Sequence, residues 1–286
     1  MVSELGSTRR ELLTGATALL RGAGLGDGAR REAVRIWAGL EVAPSASHLL
    51  DEGAVIAPER SAVFLAAIRR RAAGEPLAHV TGWAGFRHLM LRSDARALIP
   101  RPETEGLVEL VLARVRTGRV ADVGTGTGCI ALSLALEGAF SQVVGIDLSS
   151  DALALAKENR RQAGARVALV RADLTGCLAP GSLDALISNP PYLTRAEYGA
   201  LDASVRDWEP ELALSSGPDG LETTGRLLTD GRRVLRPGAW LALEVDEARA
   251  ARCATRASAS GYTDVTIHTD LFGRERYLLA RRSDAE

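Results

Sequence analysis

Hydrophobic residues recur every three or four positions through the first part of the chain, which is the spacing of amphipathic helices. Thr8 and Glu11 have the spacing of a capping box, and the glycine-rich stretch Gly24–Gly28 ends the first helix. A second helix follows, and Pro58 lies just inside the start of a third. Short helices are marginal alone and stabilise one another by packing, so residues 1–75 are predicted to form a small helical bundle. The expected apolar faces contain Leu12, Leu13, Ala16, Leu19, Leu20, Ala33, Ile36, Trp37, Leu40, Phe64, Ala67 and Ile68.

The pattern changes between residues 76 and 102. Glycine and proline interrupt this stretch, and short apolar runs replace the helical spacing. We predict a β-hairpin linker over residues 76–102. Its strand candidates are Phe86, Leu89, Leu91, Leu98 and Ile99.

Residues 103–286 alternate between short apolar runs and helical stretches. This alternation is typical of a mostly parallel sheet covered by helices on both faces, so the predicted fold class is α/β with a doubly wound sheet. The loop between the last two runs is too short for a crossover helix, so the last strand should run antiparallel to its neighbour. The predicted strands are Val120–Val123, Val143–Asp147, Val167–Val170, Ala185–Ser188, Trp240–Val245, Val265–Thr269 and Arg276–Ala280, and the predicted helices include Ala152–Ala163 and Thr223–Leu235.

Composition and charge narrow the classes of function. The 286 residues are 46% hydrophobic and 25% charged, as in ordinary globular proteins, and 35 Lys and Arg against 36 Asp and Glu leave a formal charge of -1. A near-neutral chain has no broad positive field, which counts against a nucleic-acid substrate. The three cysteines lie far apart, and no export signal or membrane span is recognised, so we expect a cytoplasmic monomer with no membrane partner.

A glycine-rich turn follows the first predicted strand of the sheet and opens a helix. In a doubly wound sheet such a turn lies at the carboxyl ends of the strands, where ligands bind. Asp147 ends the second strand, where a carboxylate can accept the hydroxyl groups of a ribose, and Asp173 follows the third strand at the edge expected for adenine. Together they indicate an adenosine site, although the turn alone is also compatible with a plain strand-to-helix connection. The candidate cofactor-binding residues are Gly124, Thr125, Gly126, Thr127, Gly128, Asp147 and Asp173.

The spacing disfavours two other adenosine cofactors. NAD sites of the G-x-G-x-x-G type need a glycine where Cys129 stands, and P-loop ATP sites need a lysine that this turn lacks. S-adenosyl-L-methionine has no pyrophosphate that a helix N-terminus would have to hold. The turn, with the aspartate that follows it, is similar to the cofactor site of class I methyltransferases. We therefore expect S-adenosyl-L-methionine as the cofactor and S-adenosyl-L-homocysteine as its product.

A second motif, Asn189-Pro190-Pro191-Tyr192, directly follows a predicted strand. Prolines stiffen the loop and restrict the residue before them. The Asn189 side-chain oxygen and the Pro190 carbonyl can each accept one N–H of a planar NH2 group, and the Tyr192 ring can lie on its flat face. The four residues are therefore the predicted catalytic residues of a nitrogen methyltransferase. The alternative is a rigid surface turn with a buried tyrosine.

Across almost its whole length the chain resembles the HemK/PrmC protein-(glutamine-N5) methyltransferases, which modify peptide chain release factors. The stretch from Leu98 to Glu105 is similar to this family and differs from the nucleic-acid methyltransferases that share the Asn-Pro-Pro-Tyr loop. The matching segments are Gly74-Glu75-Pro76-Leu77 with Thr81-Gly82, Leu98-Ile99-Pro100-Arg101-Pro102-Glu103-Thr104-Glu105, the glycine turn, Asp147, Asn189-Pro190-Pro191-Tyr192, Glu209-Pro210 with Asp219-Gly220-Leu221, and Asp270-Leu271-Phe272-Gly273-Arg274.

The resemblance implies a class I methyltransferase domain with a Rossmann-like sheet over residues 103–286. It implies methyl transfer to the side-chain amide nitrogen of the glutamine in a release factor's Gly-Gly-Gln motif, with the N-terminal helices helping to hold that protein. It also implies cofactor contacts from Leu174 and Asn189. The chain departs from the family pattern at Val245–Arg249, where a glycine and a glutamine are usual, and at Leu174, where an aromatic residue is often found.

Two alternative functions stay open at this point. The same motif could methylate an exocyclic nitrogen of adenine or guanine in DNA or RNA, or the chain could be a cofactor-binding scaffold without turnover.

Arg69-Arg70-Arg71 is interpreted as the solvated end of a helix rather than a nucleic-acid patch. Arg101 and Glu103 are compatible with a plain helix start, whereas the resemblance places them near the cofactor entrance, and both interpretations stay open. No metal site is expected, because the histidines lack metal-ligand spacing. The histidines are His48, His79, His88 and His268.

Overall fold

The computed structural model describes residues 8–40, 51 and 53–283. The chain divides into two compact units, of which the first comprises Met1–Trp83 with Ala203–Trp208 and the second comprises Ala84–Asp202 with Glu209–Glu286. Within the described residues, no helix is long and apolar enough to cross a membrane.

The first unit is built from short helices, and those between Arg9 and Thr81 share one apolar core. The predicted capping box is confirmed, because the Thr8 side chain accepts from the Glu11 N–H and the Glu11 side chain accepts from the Thr8 N–H. Trp37 and Phe64 meet edge to face, with their ring centroids 5.0 Å apart. Leu19 was wrongly assigned to the apolar face, since it is 40% exposed. The helices are α1 (Arg9–Leu20), α2 (Ala29–Leu40), α3 (Pro58–Ala72), α4 (Leu77–Thr81) and a distant α9 (Ala203–Arg206), with a π-helical turn at Arg21–Leu25 and a 3-10 turn at Gly26–Gly28.

The arginine run at the end of α3 forms ion pairs within this unit. Arg70 pairs with Glu75, and the Arg71 Nε lies 2.5 Å from a Glu32 carboxylate oxygen. The predicted helix end is confirmed, because the run lies in the last turn of α3; Arg70 stays about half exposed, whereas Arg71 is mostly covered. Their charges are neutralised locally, which leaves little of the positive patch that a nucleic acid would need.

The hairpin in the predicted linker is shorter than expected. Strands β1 (Trp83–Phe86) and β2 (Leu89–Arg92) form a two-stranded sheet. Leu98 and Ile99 belong to no strand, because the Ile99 N–H donates to the Glu209 carboxylate instead of to a neighbouring strand. The helix α4 was missed, since Pro76 and Gly82 were interpreted only as breakers. Pro76 stands at its N-cap, and Gly82 ends it in a left-handed conformation with φ of 79°.

The second unit contains a seven-stranded sheet with the order β5-β4-β3-β6-β7-β9-β8. Strands β3 to β7 pair in parallel, and β9 runs antiparallel to both β7 and β8. The predicted α/β class, the mostly parallel sheet and the antiparallel last strand are confirmed. The strands are β3 (Thr117–Val123), β4 (Ala139–Asp147), β5 (Ala168–Arg171), β6 (Leu183–Ser188), β7 (Leu235–Glu244), β8 (Tyr262–Thr269) and β9 (Glu275–Arg282).

Helices cover both faces of this sheet. Side chains alternate along β6, so Ala185 and Ile187 enter one apolar cluster while Leu186 enters the other. Both clusters are closed by helices, which is why the strands read as continuous apolar runs. The helices of this unit are α5 (Pro102–Leu112), α6 (Cys129–Glu137), α7 (Ser150–Ala163), α8 (Arg195–Gly199), α10 (Glu222–Val234) and α11 (Ala250–Ala259), with 3-10 turns at Glu211–Ala213 and Glu247–Arg249.

Two helical glycines provide a matched test of packing on this sheet. A Cβ at Gly106 in α5 would overlap the hydroxyl of buried Tyr277, which donates to the Glu103 carbonyl over 2.6 Å. A Cβ at Gly225 in α10 would come no closer than 3.5 Å to any atom. We expect Gly106→Ala to lower the free energy of unfolding by about 1–3 kcal/mol despite the better helix propensity of alanine. Gly225→Ala should leave it unchanged or raise it by up to about 1 kcal/mol. Urea denaturation measures both, and equal stability of the two variants would contradict the overlap.

Candidate functional site

The carboxyl ends of β3, β4 and β6 meet at one edge of the sheet. The N–H groups of Gly124 and Thr125, just after β3, both donate to the Ile146 carbonyl of β4, over 2.8 and 2.9 Å. On the other side of β3, the Ser188 hydroxyl donates to the Val123 carbonyl over 2.6 Å. These bonds bring the glycine turn, the end of β4 and the Asn-Pro-Pro-Tyr loop to the same place.

The glycine turn passes through backbone conformations that other residues rarely adopt. Gly124, Gly126 and Gly128 have φ of 75°, 52° and 85°. A Cβ at Gly124 would lie 4.0 Å from the Asn189 carbonyl oxygen, so the two motifs are neighbours. The Asp147 carboxylate accepts from the Gly126 N–H over 2.9 Å and, with its other oxygen, from the Ser149 N–H over 2.9 Å. Each oxygen keeps a lone pair for a further donor.

Asp122, in strand β3, binds the glycine turn through a hydrogen bond. Its Oδ2 accepts from the Thr125 hydroxyl over 2.6 Å and from the Ala131 N–H over 3.1 Å, while its Oδ1 is buried without a hydrogen-bond partner. Burial raises the pKa of Asp122 to about 7. No role was predicted for Asp122 from the sequence. The signal was an acidic residue inside an otherwise apolar strand.

A cavity of about 230 Å³ opens between these elements. Several of the predicted site residues line it, whereas Gly128, Pro190 and Tyr192 are not among its lining residues. The predicted residues that line it are Gly124, Thr125, Gly126, Thr127, Asp147, Asp173, Leu174, Asn189 and Pro191. Lining residues that were not predicted include Ala97, Leu98, Ile99, Thr104, Leu212 and Arg226.

Glu209 holds one wall of the cavity. Its side chain is 1% exposed, and its carboxylate accepts from the Ile99 N–H over 3.0 Å and from an Arg101 Nη2 over 2.6 Å. Arg101 lines the cavity and also precedes Pro102, the first residue of α5. Both readings of Arg101 from the sequence are therefore compatible with its position. The ion pair, buried on the Glu209 side, thus joins Glu209-Pro210 to the Ile-Pro-Arg-Pro stretch.

Asn189 lies at the end of a hydrogen-bonded chain that reaches into the core. Its Nδ2 donates to the Thr104 hydroxyl oxygen over 3.1 Å, and that hydroxyl donates to Glu244 over 2.7 Å. Glu244 ends β7 and is buried, and burial raises its pKa to about 7. The amide NH2 of Asn189 is thus turned toward Thr104, which leaves its Oδ1 as the free acceptor of the side chain.

The segment after Asn189 is clamped on its backbone. The N–H groups of Tyr192 and Leu193 donate to the Leu214 carbonyl over 3.2 and 2.9 Å. Gly220 has φ of 71°, and a Cβ there would overlap the Tyr192 carbonyl oxygen. Burial raises the pKa of the Tyr192 hydroxyl. The loop is therefore held from two directions before any ligand arrives.

Arg249, in the stretch that departs from the family pattern, has a structural role beside this loop. It is 8% exposed, and its guanidinium pairs with Asp246 over 2.8 Å and with Glu197 of α8. Its Nε donates to the Asp219 carbonyl over 3.1 Å, next to Gly220. Arg249 does not line the cavity, and it joins Glu197 and Asp219, which belong to two segments that follow the Asn-Pro-Pro-Tyr loop in the chain.

The far end of the cavity carries a charged pair. Asp173 accepts from an Arg226 Nη2 over 2.7 Å, and both side chains are about half exposed. Leu174 follows with a positive φ of 46° and lines the cavity. One oxygen of Asp173 is engaged by Arg226, so the other is the one available to a ligand.

Within residues 8–40, 51 and 53–283, no group of three or more His, Cys, Asp or Glu side chains could hold a metal ion. The His268 Nε2 lies 3.3 Å from an Arg114 nitrogen and 3.1 Å from the Thr266 hydroxyl. Desolvation lowers the pKa of His268. His48 lies outside the described residues.

The family model of the PrmC N-terminal domain matches residues 11–82, and that of the Methyltransferase small domain matches residues 102–213. The release factor glutamine methyltransferase of Deinococcus radiodurans is 41% identical over 280 residues, covering 96% of this chain and 98% of the relative. That of Cereibacter sphaeroides is 39% identical, covering 95% and 97%. A methyltransferase structure from Pyrococcus furiosus, 18% identical, matches 79% of this chain and 98% of that chain with a TM-score of 0.53, which shows a shared fold.

Asp122→Asn tests the cost of the carboxylate under the glycine turn. Burial raises the Asp122 pKa from an ordinary 3.8 to about 7, so the native state holds this proton more tightly than the unfolded chain does. The resulting stability is complete below about pH 4 and is lost as the pH rises through about 7. We expect the wild type to lose on the order of 2–4 kcal/mol of unfolding free energy relative to Asp122→Asn between those pH values. Urea denaturation at each pH measures the difference, and a difference that stays constant would contradict this account.

Proposed function

The chain belongs to the release factor glutamine methyltransferases, and from this premise we propose that it methylates the side-chain amide nitrogen of a release-factor glutamine, with S-adenosyl-L-methionine as methyl donor. The observation that carries the proposal is one cavity whose lining includes the glycine turn, Asp147 and Asn189. A carboxylate for a ribose and an acceptor for an amide N–H then belong to the same site. We propose that the substrate glutamine is that of a Gly-Gly-Gln motif.

The donor set of the cavity fits the cofactor. Asp147 keeps acceptor capacity after binding two backbone N–H groups, as ribose hydroxyls require. Leu98, Ile99 and Leu174 supply apolar surface for an adenine ring, and Asp173 has one oxygen free of Arg226. When bound, S-adenosyl-L-methionine supplies an electrophilic methyl group on a sulfonium. The residues proposed to hold it are Gly124, Thr125, Gly126, Thr127, Gly128, Asp147, Asp173, Leu174 and Asn189.

An amide nitrogen is a poor nucleophile, because its lone pair is delocalised into the neighbouring carbonyl. In this proposal Asn189 Oδ1 and the Pro190 carbonyl each accept one N–H of the glutamine, which orients the nitrogen for attack. The Tyr192 ring bears on the flat face of the amide, and Pro191 stiffens the loop. Orientation of this kind can lower a barrier by up to roughly 7–11 kcal/mol. The nitrogen becomes acidic once it carries the methyl group and then releases a proton.

The chain's partners follow from the same premise. We propose that residues 1–75 help to hold the release factor, that residues 76–102 connect them to the methyltransferase domain over residues 103–286, and that the enzyme works as a cytoplasmic monomer. An exocyclic amine of a nucleic-acid base is the rival substrate. The formal charge of -1 and the local pairing of Arg70 and Arg71 speak against it.

The direct test uses purified release factor, ribosomal RNA and DNA, each incubated with the enzyme and methyl-labelled S-adenosyl-L-methionine. Label is expected in the release factor, and peptide mass mapping should locate it on the glutamine of the Gly-Gly-Gln motif. A release factor in which that glutamine is replaced by alanine should stay unlabelled. Label that enters a nucleic acid and not the release factor would refute the proposal.

Asn189→Ala tests the acceptor. We expect turnover of the release factor to fall by at least about 100-fold, since the amide loses a transition-state contact and its orientation. The affinity for S-adenosyl-L-methionine, measured by calorimetry, should stay within about threefold, which also shows that the variant is folded. Turnover equal to that of the wild type would rule out the orientation mechanism.

Asp147→Ala tests the ribose contact and should show the opposite signature. We expect calorimetry to show cofactor affinity reduced by roughly 10- to 100-fold, because one or two charge-assisted hydrogen bonds are lost. Asp151→Ala is the matched control, since Asp151 lies in the first turn of α7 and does not line the cavity. Its cofactor affinity should be that of the wild type. Equal affinity for Asp147→Ala would remove Asp147 from the cofactor site.

A further inference from the structure

Glu244 is a buried carboxylate that the proposed chemistry does not use. It is 3% exposed at the carboxyl end of β7, and one of its oxygens accepts the Thr104 hydroxyl over 2.7 Å. Thr104 is 2% exposed in the first turn of α5 and also lines the cavity. Its hydroxyl oxygen in turn accepts from Asn189 Nδ2 over 3.1 Å. Three strand and helix ends that are distant in sequence are thus joined by one line of hydrogen bonds.

The direction of each hydrogen bond in this series follows from the number of donors that each group has. An ionised carboxylate can only accept, and a hydroxyl has a single proton. When the Thr104 hydroxyl donates its single proton in a hydrogen bond to Glu244, the Thr104 oxygen can only accept from Asn189. Asn189 must therefore point its NH2 toward Thr104 and its Oδ1 the other way, toward the substrate. A flipped amide would set two acceptors against each other and present an NH2 to the NH2 of the glutamine.

We propose that Glu244 and Thr104 are positioning residues that set the orientation of the Asn189 amide, so that Oδ1 and not Nδ2 meets the substrate nitrogen. The inference rests on the proposed function and deepens it, because it names what makes Asn189 an acceptor. Glu244 touches neither substrate nor cofactor in this scheme. It acts through Thr104 alone.

The charges around Glu244 make the orientation sensitive to pH. Arg276 and Arg101 favour the carboxylate, Glu103 opposes it, and the hydroxyls of Tyr192 and Tyr277 lie in its field. Burial is the largest influence and raises the Glu244 pKa to about 7. A protonated Glu244 can donate to the Thr104 oxygen, which frees the Thr104 proton to face Asn189. Both amide orientations then become possible, so turnover should fall as the pH drops below about 7.

Thr104→Val and Thr104→Ser form the first test, with kcat, KM for release factor and calorimetric cofactor affinity as readouts. Valine keeps the shape of threonine and removes the hydroxyl, whereas serine keeps the hydroxyl. We expect Thr104→Val to lower kcat by roughly 10- to 100-fold with cofactor affinity within about threefold. The separate variant Thr104→Ser should keep kcat within about threefold of the wild-type value. Unchanged kcat in Thr104→Val, or equal losses in both variants, would overturn the inference.

Glu244→Gln is the second test and supplies a signature that a merely structural role would not produce. Glutamine keeps the size of the side chain but can donate as well as accept, so it no longer dictates the direction of the line. We expect kcat to be about 10-fold lower and to lose the wild-type rise through about pH 7. A rise that persists unchanged in Glu244→Gln would refute the inference. A wild-type enzyme that leaves the release factor unmethylated while binding cofactor would instead refute the function, and the inference with it.

Discussion

The parallel pairing of β3 with both β4 and β6 is the constraint on which the site depends. In register, Val123 lies beside Ile146 on one side and Asp122 beside Ile187 on the other. Because parallel strands end at the same edge, the residues that follow them have to meet there. Hydrogen bonds then join these segments directly. Gly124 and Thr125 donate to Ile146, and Ser188 donates to Val123. The glycine turn, the end of β4 and the Asn-Pro-Pro-Tyr loop therefore border one cavity because the strands before them are paired.

The sequence predicted what depends on local periodicity and on motifs next to strand ends. The capping box at Thr8, the parallel sheet, the antiparallel β9 and most of the glycine turn could be predicted, because the periodicity or motif that indicates each of them lies within a short stretch of the chain. Ile99 was out of reach, since its N–H is satisfied by Glu209, 110 residues away, and no local pattern announces that. The helix α4 was missed for a different reason, because Pro76 and Gly82 cap a single turn and also look like breakers. Asp122 and Glu244 gave one signal in the sequence, a carboxylate in an apolar strand. The hydrogen bonds that join Glu244 to Asn189 pass through Thr104 of α5, and only the folded structure brings these three residues together.

Three buried carboxylates lie behind residues that line the cavity, and each accepts a hydrogen bond from one of those residues. Glu209 is neutralised by Arg101 and holds a backbone N–H of the wall. Asp122 and Glu244 face hydroxyls instead, and burial raises the pKa of both to about 7. Fixed acceptors in a region of low dielectric need no reorganisation when a ligand arrives, which is the property that favours catalysis in a preorganised site. Their cost is paid in folding stability near neutral pH.

The bond between Glu209 and Ile99 also has a consequence for the order in which the chain assembles. Closing a loop of this length costs more entropy than forming any local turn, and contacts of such range slow folding. During synthesis the ribosome releases Ile99 and the glycine turn long before Glu209 emerges. The nascent chain therefore carries its recognition motifs for many seconds before it has a cavity wall, at roughly 5–20 residues per second. Ligand capture is a property of the finished domain, and a fragment that stops short of residue 209 would keep the sequence signature of the site without the cavity itself.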